Sequence, residues 1–207
     1  MSNSSDAATV YVVDDDPSVL QAVGRLIRSA GWDVASFGSA REFFDRPPCH
    51  APGCVVLDVT MPEMNGLEVQ QALIAAGDSL PVIFLTGNGD IPMSVRAMKS
   101  GAVDFLSKPC NDETLIAAIQ EALALSRQAH EARVATQSVR ELLATLTPRE
   151  FEVMQGVVAG RLNKQIGAEL LITEKTVKVH RARMLEKLRV SSVPDLVRLV
   201  ERVGIAS

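Results

Sequence analysis

Five short apolar runs, each followed by a stretch with helical spacing, constrain the first 115 or so residues more than any other feature. The runs are Thr9–Val13, Val34–Phe37, Cys54–Leu57, Pro81–Leu85 and Val103–Leu106. A strand that is apolar throughout is buried on both faces, and strands that alternate with helices pair in parallel. The pattern predicts a doubly wound α/β fold with a five-stranded parallel sheet. Helix punctuation agrees with this. Pro17 suits a first helical position after an aspartate N-cap. Leu20, Val23, Ile27 and Ala30 then recur at helical spacing until Gly31 ends the helix. Further helices are predicted over Ala40–Phe44, Leu67–Ala76 and Ile91–Ser100, and from Asp112 onward.

In sheets of this kind, ligands sit beyond the carboxyl ends of the strands, near the point where strand order reverses. Asp14 and Asp15 follow the first predicted strand, Asp58 the third, Thr86 the fourth and Lys108 the fifth. All should project from one edge. Clustered carboxylates repel one another unless a cation neutralises them. Mg²⁺ (or Mn²⁺) suits the set, because a hard ion takes one or two carboxylates and completes its shell with water and phosphate oxygens. A carboxylate is also a nucleophile toward phosphorus. Lys108 can balance charge on a transferring phosphoryl group, and the Thr86 hydroxyl can hydrogen-bond it once it arrives. The Thr60 backbone carbonyl, two residues past Asp58, is a candidate further metal ligand. Singly, each residue has a structural reading: aspartates after strands often cap helices or form turns, and Asp16 is assigned only that role. Their recurrence at the ends of successive strands favours a phosphorylation site at Asp58.

Residues 123–145 contain no Gly or Pro and are rich in good helix formers, so the last helix of the first domain is expected to run on as a helical linker. Thr147-Pro148-Arg149-Glu150 then reads as a capping box with proline at the first helical position, and Leu146 and Phe151 stand where a hydrophobic staple would. That helix closes at Gly160. Asn163–Leu170, a helix capped by Thr173 and running to Leu188, and Val193–Val203 follow. The chain thus divides into residues 1–125, a helical linker over 126–143 and a small all-α domain of four helices over 144–207.

In the third of these helices, Val177, Met184, Leu185 and Leu188 fall on one side at 100° per residue. Lys175, Lys178, Val179, Ala182 and Arg183 fall on the other, flanked by Thr176, His180 and Lys187. A basic helix face fits the DNA major groove. Lys164 and Asn163 in the preceding helix would lie near phosphate. Glu174 is the acidic exception, read as complementing the helix dipole. On charge alone, an amphipathic helix with a solvated basic face is the favoured reading.

Net charge of −4 conceals an asymmetry that supports two domains. Residues 145–207 hold eleven Lys and Arg against seven Asp and Glu, whereas the first 144 hold ten against eighteen. Cys49, Cys54 and Cys110 have no metal-ligand spacing, and an odd, scattered set points to a reducing compartment. No stretch approaches the roughly 20 apolar residues of a membrane helix, and the small, polar start is unlike a signal peptide. A soluble cytoplasmic protein without a membrane partner is expected.

The segments VVDDDPSV, LDVTMPEMNGLE and FLTGNGDIPMSVRAMKSGAVDFLSKP resemble the receiver domain of two-component response regulators, a flavodoxin-like fold, and GDIPMSVRAMKSGAVDF resembles the FixJ branch. LTPREFEVM, GRLNKQIGAELLITEKTVKVHRARMLEKL and SSVPDLVRLV resemble the LuxR-type helix-turn-helix of FixJ and NarL regulators. The first resemblance implies that Asp58 accepts phosphate from a sensor histidine kinase. It implies an acidic pocket of Asp14 and Asp15, with Asp15, Asp58 and the Thr60 carbonyl on Mg²⁺. It further implies that Thr86 and Phe105 are a switch pair, that Lys108 contacts phosphate, that the Lys108-Pro109 bond is cis, and that Asn88 tunes dephosphorylation. Cys110 departs from the family, which usually has an aromatic there. The second resemblance implies that Lys178 and Val179 reach bases, while Lys164, Thr173, Lys175, Thr176 and His180 contact backbone; Arg183 shares their exposed face.

Together these imply a regulator in which phosphorylation shifts an existing equilibrium. Homodimerisation would occur through Val95, Met98 and their neighbours, two DNA half-sites would be bound, and RNA polymerase would be a further partner. Two alternatives are a metal-dependent phosphohydrolase, whose second aspartate two positions after the nucleophile is here Thr60, and a protein-binding adaptor.

Overall fold

A computed structural model of the protein describes residues 8–47, 51–87 and 90–204. The chain forms two compact units, Met1–Glu131 and Ala132–Ser207. In the first, strands β1 (Thr9–Val13), β2 (Asp33–Phe37), β3 (Gly53–Leu57), β4 (Val82–Thr86) and β5 (Asp104–Ser107) alternate with helices α1 (Pro17–Ser29), α2 (Ala40–Phe44), α3 (Gly66–Ala75) and α4 (Ile91–Lys99), and α5 (Asp112–Ala144) follows. The strands pair in parallel in the order β2-β1-β3-β4-β5.

Side chains alternate across the sheet, as the two-residue period of a strand requires. Val10, Val12, Cys54, Val56, Ile83 and Leu85 pack on one face against Val23 and Ile27 of α1 and Leu115, Ile119 and Leu123 of α5. Tyr11, Val13, Val55, Leu57 and Phe84 pack on the other face against Phe43 of α2, Val69 and Leu73 of α3 and Ala97 of α4. Each fully buried side chain of this kind stabilises the fold by about 1.5–3 kcal/mol, so covering both faces is what makes continuous apolar strands tenable.

Local signals set the helix ends. Asp16 caps α1 through Ser18 N, Ser39 caps α2, and Asn65 and Glu68 form a reciprocal capping box on α3. Element bounds shift from the expected ones by a residue or so. The clearest shift is in β5, which begins at Asp104 and not Val103, because its ladder with β4 runs from Ile83–Asp104 to Thr86–Ser107. The expected linker helix is continuous with the helix that starts at Asp112. Cys49 and Asn88 lie outside the described residues.

The second unit contains the end of α5 and helices α6 (Pro148–Val158), α7 (Asn163–Glu169), α8 (Glu174–Lys187) and α9 (Val193–Glu201). Val139, Leu143, Val153, Met154, Ile166, Val177, Met184, Leu188 and Leu196 form its core. Thr147 and Glu150 make the expected capping box, and Leu146 and Phe151 pack against the core beside it. Gly156 lets α7 approach α6 closely, since a β-carbon there would stand 2.8 Å from Ile166 Cγ1.

Candidate phosphoacceptor site and nucleic-acid interface

Strand order reverses between β1 and β3, and these two strands pair with Val13 opposite Leu57. The next residues, Asp14 and Asp58, therefore emerge side by side at the switch point where such sheets hold ligands. Both are buried, at 3% and 5% exposure. Lys108, just past β5, reaches between them, with Nζ 2.5 Å from Asp14 Oδ2 and 3.0 Å from Asp58 Oδ1. Main-chain donors take the remaining oxygens: Asp16 N donates to Asp14 Oδ1 at 3.0 Å, and Thr60 N donates to Asp58 Oδ2 at 2.7 Å. The Lys108-Pro109 peptide is cis.

Electrostatics follow from this packing. Burial lifts the Asp14 carboxyl above its ordinary value, with the Asp58 charge adding to the effect and the bonds from Lys108 and Asp16 opposing it. Burial alone would pull the Lys108 ammonium down, but hydrogen bonds and charge from Asp14 and Asp58 outweigh it and hold the group above its usual range. The cation is thus more firmly protonated than in water, as expected of an ammonium between two carboxylates.

Asp15 is exposed at the margin of this cluster. Among the described residues, no group of three or more His, Cys, Asp or Glu side chains gathers as a metal cage. Thr86 is fully buried at the end of β4, and its carbonyl accepts a bond from Lys108 N at 2.8 Å. Phe105 is half-buried, with its ring 5.8 Å from that of Phe84. Cys110 is partly buried against the sheet core. Gly66 is a supporting residue at the start of α3. A β-carbon there would lie 2.3 Å from Asp58 O, so only glycine lets α3 start directly beneath the acidic loop.

In the second unit, Val177, Met184 and Leu188 of α8 are buried, while Lys175, Lys178, Val179, Ala182 and Arg183 are exposed. Thr176 and His180 are partly buried, and Lys164 of α7 and the capping Thr173 are exposed. Two details differ from expectation. Glu174 does more than face the helix dipole, for it pairs with Lys178 at 3.0 Å. Lys187, expected to flank the basic face, instead turns to Glu150: its Nζ lies 2.6 Å from Glu150 Oε2 and 3.1 Å from Thr145 O. Glu150 is buried, and Lys187, with the Thr147 main chain, holds its carboxyl down to about 2. The capping box signalled Glu150, but nothing local signalled its partner 37 residues away. Arg181 Nη1 also bonds Asn163 Oδ1 at 3.1 Å, tying α8 to the start of α7.

Comparison with known proteins agrees with this division. Residues 10–120, more than half the chain, match the response regulator receiver domain, and residues 144–200 match the bacterial regulatory proteins of the luxR family. The response regulator protein TodT of Pseudomonas putida F1 is 46% identical over 200 residues, covering 97% of this chain and 88% of TodT. The transcriptional regulatory protein FixJ of Bradyrhizobium diazoefficiens is 40% identical over 196 residues, covering 95% and 96%. Among solved structures, the response regulator StyR has a TM-score of 0.86 at 45% identity, covering 95% of this chain and 99% of StyR. Full-length FixJ from B. japonicum has a TM-score of 0.58 at 39% identity, covering 98% and 100%. Among the described residues, no helix is long and apolar enough to cross a membrane. A receiver implies a histidine kinase as phosphodonor, and a luxR-type helix-turn-helix implies DNA. The phosphohydrolase and adaptor readings give way accordingly. The chain belongs to the two-component response regulators of the FixJ and NarL type, and it is a phosphorylation-controlled, DNA-binding transcriptional regulator and not an enzyme.

Proposed function

We propose that Asp58 is the phosphoacceptor and that Asp14, Asp15, Lys108, Thr86 and Phe105 serve it. The observation that carries this reading is the Lys108 ammonium bonded to both Asp14 and Asp58 at the sheet's switch point. An Asp58 oxygen bonds to phosphorus as the bond from phosphorus to the donor's imidazole nitrogen breaks. Lys108 then offers its charge to the phosphoryl oxygens, and the Thr60 main-chain N–H holds the carboxylate oriented. Thr86 engages the phosphoryl group, and Phe105, on the adjacent strand, repacks with it.

The donor set suits a hard cation, since its side chains are the oxygen donors of two buried carboxylates, Asp14 and Asp58, and of the exposed Asp15. Asp15, Asp58 and the Thr60 carbonyl would hold Mg²⁺ or Mn²⁺, which when bound would neutralise charge on the phosphoryl oxygens.

In the second unit, Lys178 and Val179 read bases, while Lys164, Thr173, Lys175, Thr176, His180 and Arg183 contact the backbone around them. The exposed Val95 and Met98 of α4, with their neighbours, form the homodimer surface of the phosphorylated protein. RNA polymerase is the further partner, and the site of action is the cytoplasm. Residues 1–125 are the receiver, 126–143 the helical linker and 144–207 the DNA-binding domain.

Incubation with acetyl phosphate and Mg²⁺ followed by mass spectrometry tests the central assignment. Wild type gains one acid-labile phosphate and Asp58→Asn gains none; equal labelling of the two would overturn it.

A further inference from the structure

Helix α4 is thinly anchored. Ala97 is its only buried residue, whereas α1 buries three residues and α3 four. Ile91, Val95 and Met98 stand 80%, 45% and 46% exposed. Against this sparse apolar contact there is one buried polar clamp. Gln70 of α3 is 2% exposed, and its Nε2 donates to Ala97 O and Ser100 O, each at 3.3 Å. These carbonyls lie in the final turn of α4 and at its cap.

The first residue of α3, about one turn before Gln70, is rooted at the acidic site. Gly66 N donates to Val59 O at 2.9 Å, and the Gly66 α-carbon lies directly under the Asp58 carbonyl. One rigid helix therefore connects the Asp58 loop to the end of α4. A groove of about 430 Å³ lies along this connection, lined by Thr60, Met61, Glu68, Gln70, Met93 and Arg96 among others. It leaves room for α4 to shift without first expelling packed side chains.

We infer that the Gln70 amide is a positioning group that holds α4 in the arrangement where Lys108 is bonded to Asp58, so that its strength sets how readily Asp58 takes phosphate. The inference rests on Asp58 being the acceptor. With Asp58 Oδ2 held by Thr60 N, transfer to Oδ1 replaces the Lys108 contact at that oxygen, so the arrangement that includes this contact is the one transfer disrupts. Whatever stabilises that arrangement opposes phosphorylation, and coupling between two sites is reciprocal in binding free energy. Loosening α4 therefore favours phosphorylation. Without the amide, Ala97 O still accepts from Ser100 N and Ala102 N, both at 3.1 Å, and Ser100, which is exposed, can turn to water.

The test uses the full chain as wild type, Asp58→Asn, Gln70→Met and Gln70→Leu, with Gln21→Met, an exposed position on α1, as a control for the same change away from the groove. Amide hydrogen exchange over residues 91–100 reads the clamp. The rate of phosphate uptake from acetyl phosphate with Mg²⁺ reads its consequence. Two hydrogen bonds of ordinary net strength correspond to roughly tenfold faster exchange in α4, with α1 unchanged. Phosphate uptake should rise several-fold in both Gln70 variants and stay at the wild-type rate in Gln21→Met. Unchanged exchange in α4 overturns the inference. So does faster exchange with an unchanged uptake rate, which would make Gln70 merely structural. Either variant suffices if the other fails to fold. Wild type that takes up no phosphate at Asp58 would sink the acceptor assignment and this inference together, whereas failure confined to the Gln70 variants sinks this inference alone.

Discussion

Substituting Gly66 by alanine tests whether the acidic loop depends on backbone contact beneath it. Gly66 is the first residue of α3 and has helical backbone, so alanine is conformationally welcome and by itself would contribute about 0.5–1 kcal/mol. Space is the obstacle. The added methyl would stand 2.3 Å from Asp58 O, 3.0 Å from Val59 Cα and 3.1 Å from Asp58 C, where ordinary contact begins at 3.4 Å. All three atoms are main chain and cannot rotate away, so the loop or the helix must move by about 1 Å. Overpacking of this kind costs about 1–3 kcal/mol, leaving a net loss centred on about 1 kcal/mol, up to about 2.5, after the helix-propensity gain. The effect on phosphate uptake should be larger than on stability. A displacement of about 1 Å in a reacting group costs on the order of 100-fold in rate, and the displaced atoms belong to Asp58 itself. Urea unfolding of the full chain reads the first quantity, and the initial rate of uptake from acetyl phosphate reads the second. If Gly66→Ala unfolds at the wild-type midpoint and takes up phosphate at the wild-type rate, the close-approach reasoning is wrong.

Three further outcomes are expected. Lys108→Met leaves two buried carboxylates without their shared cation; the receiver should lose about 1–3 kcal/mol, discounted because the lysine is partly exposed, and phosphate uptake should fall sharply while helical content, by circular dichroism, persists. Glu150 carries a pH signature: its pKa is depressed to about 2 from the ordinary 4.5, so the stability it contributes is complete above about 4.5 and is lost as pH falls toward 2. Lys187→Met removes the largest single cause of that depression, and thermal melts across this window should show a flatter acid limb for the variant; parallel limbs would contradict the pairing. On DNA selected from random duplexes, Lys178→Ala should cost about 1–3 kcal/mol and relax preference at one position, whereas Lys164→Ala should weaken all sequences alike and lower the salt slope by about 1; gel shifts at several salt concentrations separate the two.

Local spacing was enough to read the elements of both units, because each is specified by a short-range pattern. The apolar runs of Cys54–Leu57 and Pro81–Leu85, the Asp16-Pro17 start and the Thr147–Glu150 box all act within a few residues of themselves. The same spacing carried the acidic residues to the ends of β1 and β3, since whatever follows a parallel strand emerges at its carboxyl end. Strand order was not legible in this way; it depends on which neighbours bury which face, and β1 between β2 and β3 is what sets Asp14 beside Asp58. Nor were the long-range partners legible. Lys108 reaches aspartates 94 and 50 residues away, Gln70 reaches carbonyls 27 and 30 residues on, and Lys187 turns from the basic face to a carboxylate 37 residues back. The sequence by itself determined what kinds of element form and which chemical groups stand at their ends. Only the tertiary structure decided which of those groups meet, because a hydrogen bond or ion pair depends on angstrom-scale separation, and that separation arises only when distant segments pack.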